Sequence, residues 1–251
     1  MELVNRIKLR ISEFSRNSNI HDSGYAEHIA MEGYCIVEDF LSAETCELLE
    51  RKALDFFKLG HPSVRMASNG FDQRYFGVEF YDDSFKLAKM EETARETFSD
   101  LIKVKEYGYT YMLNKIYAGK GNLGSGEGWH RDSPLSPQFK AILYITDVNS
   151  DNGPFQYVPN THTYKSILDI ATLLNKSIAD YRYKDLDLEK ILHAGYEMKS
   201  ITAKKGTLLL ADTRGIHRGK VIEKDYRIAL TRYGFYRRPS DTLELDKLNL
   251  L

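Results

Sequence analysis

Cysteine, proline and tryptophan are scarce in this 251-residue sequence, which contains 2, 6 and 1 of them. Two cysteines, Cys35 and Cys46, are too few for a disulfide framework and lack the spacing of a zinc site. No apolar run approaches membrane-spanning length, and the N terminus lacks the basic and apolar segments of a secretion signal. We therefore expect a cytoplasmic protein that has no membrane partner.

The sequence also lacks an excess of either charge. It has 35 basic and 36 acidic residues, and neither sign forms a long block. Such a chain has no global field with which to hold nucleic acid, so we expect a small-molecule partner. The length suits one large core, and we expect a single domain over residues 1–251. Oligomeric state is not predictable from these features.

The first hundred residues have mainly helical patterns. Apolar residues at helical spacing predict an amphipathic helix to about Ser18, packed on the main body through Leu3, Val4, Ile7, Ile11 and Phe14. Residues 33–40 read as a strand, and Ser42 as the N-cap of a helix to about Lys58, with Cys46, Leu49, Ala53 and Phe57 on its inner side. Residues 60–83 fit either a lid or an ordered surface loop. A further helix is expected over about 84–104.

The pattern changes to strands after residue 106. Short apolar and aromatic runs are separated by Gly, Pro, Asn and Asp, and they cover residues 107–117, 139–148, 155–159, 198–202, 207–211 and 227–236. A helical insertion over about 164–174, with further helical turns near 186–192, interrupts them. This order predicts a mainly β fold with flanking helices, as an antiparallel double sheet or barrel with its core at about 106–238.

One short motif suggests chemistry. His130 and Asp132 are two residues apart in an extended segment, so both side chains point to the same side and can reach one metal ion. A site of two histidines and one carboxylate leaves positions open on iron(II), and His217 is the candidate for the second histidine. A His-x-Asp triplet alone is a weak signal, because a surface histidine beside an aspartate has the same pattern.

A second motif is misleading. Residues 119–124, Gly-Lys-Gly-Asn-Leu-Gly, match the glycine pattern of dinucleotide-binding loops. That pattern works at the N terminus of a helix, whereas this segment leads directly into the strand of His130. We expect a flexible loop at the mouth of the site.

Several motifs together resemble one family. Trp129-His130-Arg131-Asp132, the strand and turn over residues 144–154, Val158-Pro159-Asn160-Thr161-His162, and His217 with Arg227 resemble the phytanoyl-CoA dioxygenase-like branch of the iron(II)- and 2-oxoglutarate-dependent oxygenases. The motifs cover about half of the chain. Asn160-Thr161 departs from the usual Gly-Ser of that branch, which affects only the geometry of the turn.

The resemblance implies a double-stranded β-helix, a cupin-like jelly roll, with His130, Asp132 and His217 as iron ligands. It also implies that 2-oxoglutarate fills two of the open coordination positions on the iron and that dioxygen takes the third. The distal carboxylate of 2-oxoglutarate needs a cation, and a guanidinium offers a bidentate fork. Arg227 lies ten residues beyond His217, about where the family has its arginine, and Arg232 is the reserve candidate.

Further polar residues are candidates for hydrogen bonds to 2-oxoglutarate, on the resemblance: Asn114, Lys115, Tyr117 and Ser133. Alternation places Asn114 on the opposite face from Lys115 and Tyr117, so a bulge is needed for all three to face inward. Five arginines are candidates for an anionic substrate: Arg65, Arg74, Arg131, Arg214 and Arg218.

The other histidines lack metal-like spacing. We expect surface or loop positions for His21, His28, His61 and His193. His162 resembles a histidine of structural role in the family, and Trp129 should point away from the metal face and pack.

The resemblance implies hydroxylation of an unactivated carbon in a small molecule, with release of succinate and carbon dioxide. Asp132 favours hydroxylation over chlorination, because the family's halogenases have a small residue there. Two alternatives remain: a demethylase of the same superfamily, and a cupin-like metal-binding protein without catalysis. Near-neutral charge disfavours the first of these. A zinc hydrolase is disfavoured because no His-Glu-x-x-His or cysteine cluster exists.

Overall fold

The computed structural model describes residues 1–14, 16, 24–60, 64–66, 70–236 and 249–250. Its helices are α1 (Glu2–Phe14), α2 (Gly24–Glu32), α3 (Ala43–Leu59), α4 (Ala88–Leu101), α5 (Tyr164–Leu174) and α6 (Asp185–His193). Its strands are β1 (Tyr34–Val37), β2 (Arg65–Met66), β3 (Asp72–Phe76), β4 (Gly108–Tyr117), β5 (Phe139–Tyr144), β6 (Phe155–Tyr157), β7 (Lys199–Ile201), β8 (Leu208–Asp212), β9 (His217–Gly219), β10 (Tyr226–Phe235) and β11 (Asn249–Leu250).

These strands form two antiparallel sheets. The large sheet has the strand order β1-β8-β5-β10-β4-β3-β2, with β11 beside β4, and the small sheet has the order β7-β6-β9. The expected fold is confirmed: this is a mainly antiparallel β protein of the cupin-like jelly-roll type, with helices flanking the sheets.

The large sheet has apolar side chains on both of its faces. In β8, Leu208 and Leu210 belong to a core shared with the helices, whereas Leu209 and Ala211 pack with residues of the small sheet. A strand that is buried on both faces reads as a continuous apolar run rather than an alternating one, which explains the Leu-Leu-Leu-Ala sequence. The two sheets therefore enclose one core, and the helices cover a second.

Local sequence signals set the ends of α3 as expected. The Ser42 hydroxyl accepts a hydrogen bond from the amide of Thr45 at 3.3 Å, and Gly60 ends the helix with a φ of 65°. The predicted inner residues Cys46, Leu49, Ala53 and Phe57 are buried. The helix packs on the face of the large sheet that is turned towards the helices, away from the small sheet.

Helix α1 differs from its prediction. Four of the five apolar positions expected to pack on the body are exposed, at 71% for Leu3, 52% for Val4, 51% for Ile7 and 60% for Ile11, and the side chain of Phe14 lies outside the described part of the structure. Leu9 is instead fully buried, in a cluster with α5 residues. Periodicity identified a helix correctly here, but a short helix is oriented by its neighbours, and α5 contacts the side that carries Leu9.

Two other predictions need correction, and one helix was not predicted. Residues 72–76 of the expected loop or lid over residues 60–83 form β3, which pairs with β4, while 61–63 and 67–69 lie outside the described residues. Helix α2 was not predicted. The helix expected over about 84–104 is shorter, Ala88–Leu101, and a 3₁₀ turn precedes it at Asp83–Phe85. Within the described residues, no helix is long and apolar enough to cross a membrane.

Candidate metal centre

His130 and His217 are neighbours across two antiparallel segments. The amide of each donates a hydrogen bond to the carbonyl of the other at 2.9 Å, and their ring centroids are 4.3 Å apart. The amide of Asp132 donates to the carbonyl of Thr213 at 3.0 Å, in the segment that precedes β9. The segment of the His-x-Asp triplet therefore runs beside β9, and backbone hydrogen bonds bring together side chains that are far apart in the sequence.

The ligating atoms of these three side chains converge. Asp132 Oδ1 lies 3.8 Å from His130 Nε2, and Asp132 Oδ2 lies 3.9 Å from His217 Nε2. One ligand atom from each residue lies within 4.8 Å of the others, which makes this group a possible metal site within the described part of the chain. A metal ion would replace repulsion between the imidazole lone pairs with coordination bonds.

Both imidazoles are oriented for coordination through Nε2. Nδ1 of His130 pairs with the Gly128 carbonyl and Nδ1 of His217 pairs with the Gly215 carbonyl, each at 2.9 Å. A carbonyl only accepts, so Nδ1 carries the proton in each ring and Nε2 keeps its lone pair. Nε2 of His217 is buried and has no hydrogen-bond partner. An unpartnered buried acceptor costs free energy, and a cation at this point would satisfy it.

Burial sets the protonation of these groups. Desolvation lowers the pKa of His130 to about 4 and holds the pKa of His217 well below its ordinary value. Both imidazoles are therefore neutral near pH 7, as metal ligands must be. Burial alone would raise the pKa of Asp132, but the Lys140 ammonium, followed by the two histidines, lowers it below its usual range.

Lys140 is a site residue that the sequence reading missed. It lies on β5, and its Nζ forms a salt bridge with Asp132 Oδ2 at 2.6 Å. A signal for it exists: alternation places Lys140 on the same strand face as Ile142 and Tyr144, both of which line the cavity. A lysine inside a nearly continuous apolar strand is unusual unless it is paired.

The three ligand candidates open into a cavity of about 250 Å³ between the two sheets. Of the residues predicted to bind 2-oxoglutarate, Arg227 and Asn114 line this cavity, and of the arginines considered for an anionic substrate, Arg74 and Arg131 do. Its apolar wall includes Met112, Ile142, Tyr144, Phe155 and Ala229. A small cavity with an apolar wall and a few convergent polar groups suits a small molecule rather than a polymer.

Arg227 is a buried cation without an anionic partner in the described chain. It is 5% exposed, one Nη donates to the carbonyl of Gly153, and Nε has no hydrogen-bond partner. Desolvation lowers its pKa by more than Tyr144 and Asp72 raise it. Among the described residues no carboxylate forms a salt bridge with Arg227, and Asp72 is paired with Arg74. Buried charges are normally paired, so this guanidinium is ready for an anion that enters the cavity.

Four predicted residues lie elsewhere. Lys115 and Tyr117 do not line the cavity: the Lys115 ammonium lies 5.6 Å from the ring centre of Tyr226, and the Tyr117 hydroxyl donates to the Gly70 carbonyl at 2.8 Å. Both lie on the face of β4 opposite to Asn114, and no bulge interrupts the strand. The hydrogen bonds expected from Lys115 and Tyr117 to 2-oxoglutarate are therefore contradicted. The Ser133 hydroxyl lies 2.8 Å from that of Ser136, and Ser133 also does not line the cavity.

Arg232 forms ion pairs with Glu91 and Glu106 on the other side of β10, so its reserve role as the arginine for 2-oxoglutarate is wrong.

The arginines considered for an anionic substrate are mostly engaged in structure. Arg131 donates to the carbonyls of Thr161 and Arg214, and Arg214 is paired with Asp212 at 2.8 Å. Arg218 lies over the Trp129 ring at 4.3 Å. Arg74 lines the cavity but is paired with Asp72 at 2.5 Å, and the side chain of Arg65 lies outside the described part of the structure. This set therefore gives no clear anion site.

The remaining predictions for single residues hold where the structure describes them. His28 and His193 are exposed, whereas His21 and His61 lie outside the described residues. His162 is fully buried, with Nε2 3.2 Å from the Ala30 carbonyl, and Trp129 is packed at 2% exposure. Residues 118–129 form turns without a helix, which excludes the dinucleotide-loop reading.

The departure at Asn160-Thr161 leaves the turn intact. Asn160 adopts a φ of 61°, a left-handed conformation that asparagine tolerates better than most residues. The Thr161 hydroxyl donates to the Val158 carbonyl at 2.6 Å and accepts from the amide of Ile216 at 2.8 Å. It therefore supports the backbone next to His217.

The sequence matches the phytanoyl-CoA dioxygenase (PhyH) family over residues 30–222, and the chain belongs to this family. The match includes His130, Asp132 and His217 and ends before Arg227. Family membership supports a dioxygenase-type role. Among curated proteins, no sequence matches this chain significantly.

Solved structures show the same fold at low sequence identity. The epimerase SnoN in complex with Fe3+, alpha ketoglutarate and nogalamycin RO is 13% identical, with a TM-score of 0.63 over 84% of this chain and 82% of its own. The non-heme alpha ketoglutarate dependent carbocyclase SnoK from nogalamycin biosynthesis is also 13% identical, with a TM-score of 0.62 over 92% and 97%. EctD from S. alaskensis with bound Fe is 17% identical, with a TM-score of 0.63 over 89% and 83%.

Proposed function

We propose that this protein is an iron(II)- and 2-oxoglutarate-dependent dioxygenase that hydroxylates an unactivated C–H bond of a small molecule and releases succinate and carbon dioxide. The observation that carries the proposal is one cavity holding both a His-Asp-His cluster with an unpartnered Nε2 and a buried arginine without an anion. The first fits a metal ion, and the second fits the distal carboxylate of a keto acid.

His130, Asp132 and His217 would hold the iron. Two neutral imidazoles and one carboxylate form a donor set suited to iron(II), and three side chains leave coordination positions open. The Gly128 and Gly215 carbonyls fix the rings, which is the usual supporting role of partners around metal-bound histidines. When bound, the iron supplies dioxygen activation coupled to decarboxylation of 2-oxoglutarate.

Arg227 would bind the distal carboxylate of 2-oxoglutarate. A guanidinium offers parallel N–H donors to a carboxylate, and burial strengthens this pair because water competes little. Asn114 lines the same cavity but its amide donates to Asp72, so it would orient the site through Asp72 as much as through a ligand. The apolar wall would limit water near the reacting carbon.

The family resemblance in structure leaves the reaction outcome to be measured. The similar structures include an epimerase and a carbocyclase, so one fold hosts different oxidative outcomes. Hydroxylation adds one oxygen atom to the substrate, ring closure removes two hydrogen atoms, and epimerisation leaves the mass unchanged. Mass spectrometry of the product separates the three.

Succinate formation by the purified full chain tests the proposal. With iron(II), 2-oxoglutarate and air, the wild type should release succinate, and substrate candidates should increase the rate. His130→Ala and Asp132→Ala should abolish this release and keep the circular dichroism of the wild type. His193→Ala, which removes an exposed histidine, is the matched control. Wild-type protein that binds the metal but forms no succinate with any candidate would favour the non-catalytic cupin-like alternative.

A further inference from the structure

Lys140 contacts the one proposed iron ligand that carries a negative charge. Its side chain is 10% exposed, and Nζ lies 2.6 Å from Asp132 Oδ2 and 4.8 Å from the ring centre of Tyr233. Within the described residues, Asp132 is the only carboxylate in a salt bridge with it. The other oxygen of Asp132, Oδ1, lies 3.8 Å from His130 Nε2, and Oδ2 itself also lies 3.9 Å from His217 Nε2.

This contact limits what Asp132 can offer a metal. A carboxylate binds a metal ion through one oxygen or through both, and an ammonium 2.6 Å from Oδ2 competes with a metal ion for that oxygen, which favours coordination through Oδ1. The positive charge of Lys140 also opposes the binding of a divalent cation nearby. Both effects lower metal affinity, so the pair is not explained as a device for tight metal binding.

We propose that Lys140 is a positioning residue that restricts Asp132 to a single metal-ligating oxygen and thereby keeps a coordination position open for 2-oxoglutarate. The inference rests on the proposed function, since it needs a metal held by Asp132. Without Lys140, Asp132 binds the metal through both oxygens, the metal is held more tightly, and the keto acid loses a position. Lys140 thus lowers metal affinity and increases cosubstrate affinity.

If the salt bridge between Lys140 and Asp132 were purely structural, a different result would be expected. Removing it would loosen β5 and the His-x-Asp segment together, and both metal and 2-oxoglutarate would bind more weakly. The positioning role requires the two affinities to change in opposite directions. The positive charge is the property that matters, so Lys140→Arg should preserve both affinities, whereas a neutral residue should not.

The experiment measures two dissociation constants on the full chain. Mn(II), which does not undergo turnover, is titrated first by calorimetry, and 2-oxoglutarate is then titrated into the Mn(II)-loaded protein. The variants are Lys140→Met, Lys140→Gln and Lys140→Arg. Lys52→Met is the control, because Lys52 forms a salt bridge with Asp82 at 3.0 Å and neither residue lines the cavity.

We expect Lys140→Met and Lys140→Gln to bind Mn(II) roughly tenfold more tightly and 2-oxoglutarate roughly tenfold more weakly than the wild type. Lys140→Arg and Lys52→Met should keep both constants within about threefold of the wild type. If Lys140→Met does not fold, the contrast between the Gln and Arg variants gives the same answer.

Two results would overturn the inference: both affinities falling together in the neutral variants, or neither changing. A wild-type protein that binds neither Mn(II) nor 2-oxoglutarate would instead refute the proposed function. The two failures are therefore distinguishable.

Discussion

Arg227 and Arg232 extend from opposite faces of β10, although they are only five positions apart in the sequence. Arg227 faces the cavity without a carboxylate partner, whereas Arg232 lies between the sheet and the helices, paired with Glu91 at 2.5 Å and Glu106 at 2.7 Å. An odd separation along a strand reverses the direction of the side chain, so the two arginines cannot share a role. One is available to a ligand, and the other belongs to the fold.

Replacing Arg227 by alanine should weaken the binding of 2-oxoglutarate. Loss of a charge-assisted pair costs about 1.5–3 kcal/mol, which corresponds to roughly 10–150-fold in the dissociation constant. Calorimetry on the Mn(II)-loaded protein measures it, with Arg51→Ala, an exposed arginine of α3, as the control. An unchanged titration would remove Arg227 from the site, and Arg232 could not take its place.

Arg232→Met should instead reduce stability. Removing one partner of a buried ion pair leaves uncompensated charge, here on Glu91 and Glu106, and costs about 3–5 kcal/mol in the free energy of unfolding. Urea unfolding measures this loss, and the folded variant should bind Mn(II) as the wild type does. A loss below about 1 kcal/mol would mean that the network is of the weak, solvent-screened kind.

Gly126→Ala should disturb the metal centre through His130. A Cβ at this position would overlap Cε1 of the His130 ring, so the imidazole would have to move. We expect Mn(II) affinity to fall by at least about tenfold. Gly121→Ala is the matched control: its φ of 92° resembles the 86° of Gly126, but no atom lies within 4 Å of the added carbon. Equal effects of the two variants would indicate backbone strain rather than a displaced ligand.

Most of the β framework and the grouping of the three candidate ligands could be predicted from the sequence, for a physical reason. Strand length and alternation are local properties, so β4 and β10 were predicted to within one residue at each end. The same alternation predicted that His130 and Asp132 point to one side, and their side chains do converge, although the expected strand is wrong: His130 forms isolated β-bridges there. Predicting that these two side chains lie close to His217 required the family resemblance, because the sequence of neither segment shows which distant segment it pairs with.

The errors concern relations between elements. The exposed side of α1 is as apolar as its sequence suggested, but which side is covered depends on α5. The sequence alone allows Arg232 to face the cavity, but its partners Glu91 and Glu106 lie on the opposite side of β10. Lys140 escaped notice because its partner lies eight residues earlier across a turn, and only the folded chain brings their charges to 2.6 Å.

Asp212 should make the free energy of unfolding depend on pH in the acid range, and a substitution at this position measures that contribution. Its carboxylate is fully buried and receives hydrogen bonds from Arg214 Nη2 at 2.8 Å and from Arg16 Nη2 at 3.0 Å. Burial alone would raise the pKa of this carboxyl, but Arg214 and then Arg16 lower it from 3.8 to about 2. The folded state therefore prefers the ionised form more strongly than the unfolded state does.

The sign follows from this difference. A carboxyl whose pKa is lower in the folded state contributes its full stabilisation above pH 3.8 and loses it as the pH falls towards 2. The pH-dependent part is on the order of 2 kcal/mol. We expect the stability difference between the wild type and Asp212→Asn, measured by urea unfolding, to be constant above about pH 5 and to shrink between about pH 4 and pH 2. The titration of the other histidines largely cancels in this comparison, whereas His162, whose pKa burial lowers to about 4 and Asp212 raises, is coupled to the substituted group. The double variant Asp212→Asn, His162→Gln is therefore compared with His162→Gln as well. A difference that stays constant down to pH 2 would mean that Asp212 is not selectively stabilised in its ionised form by the two arginines.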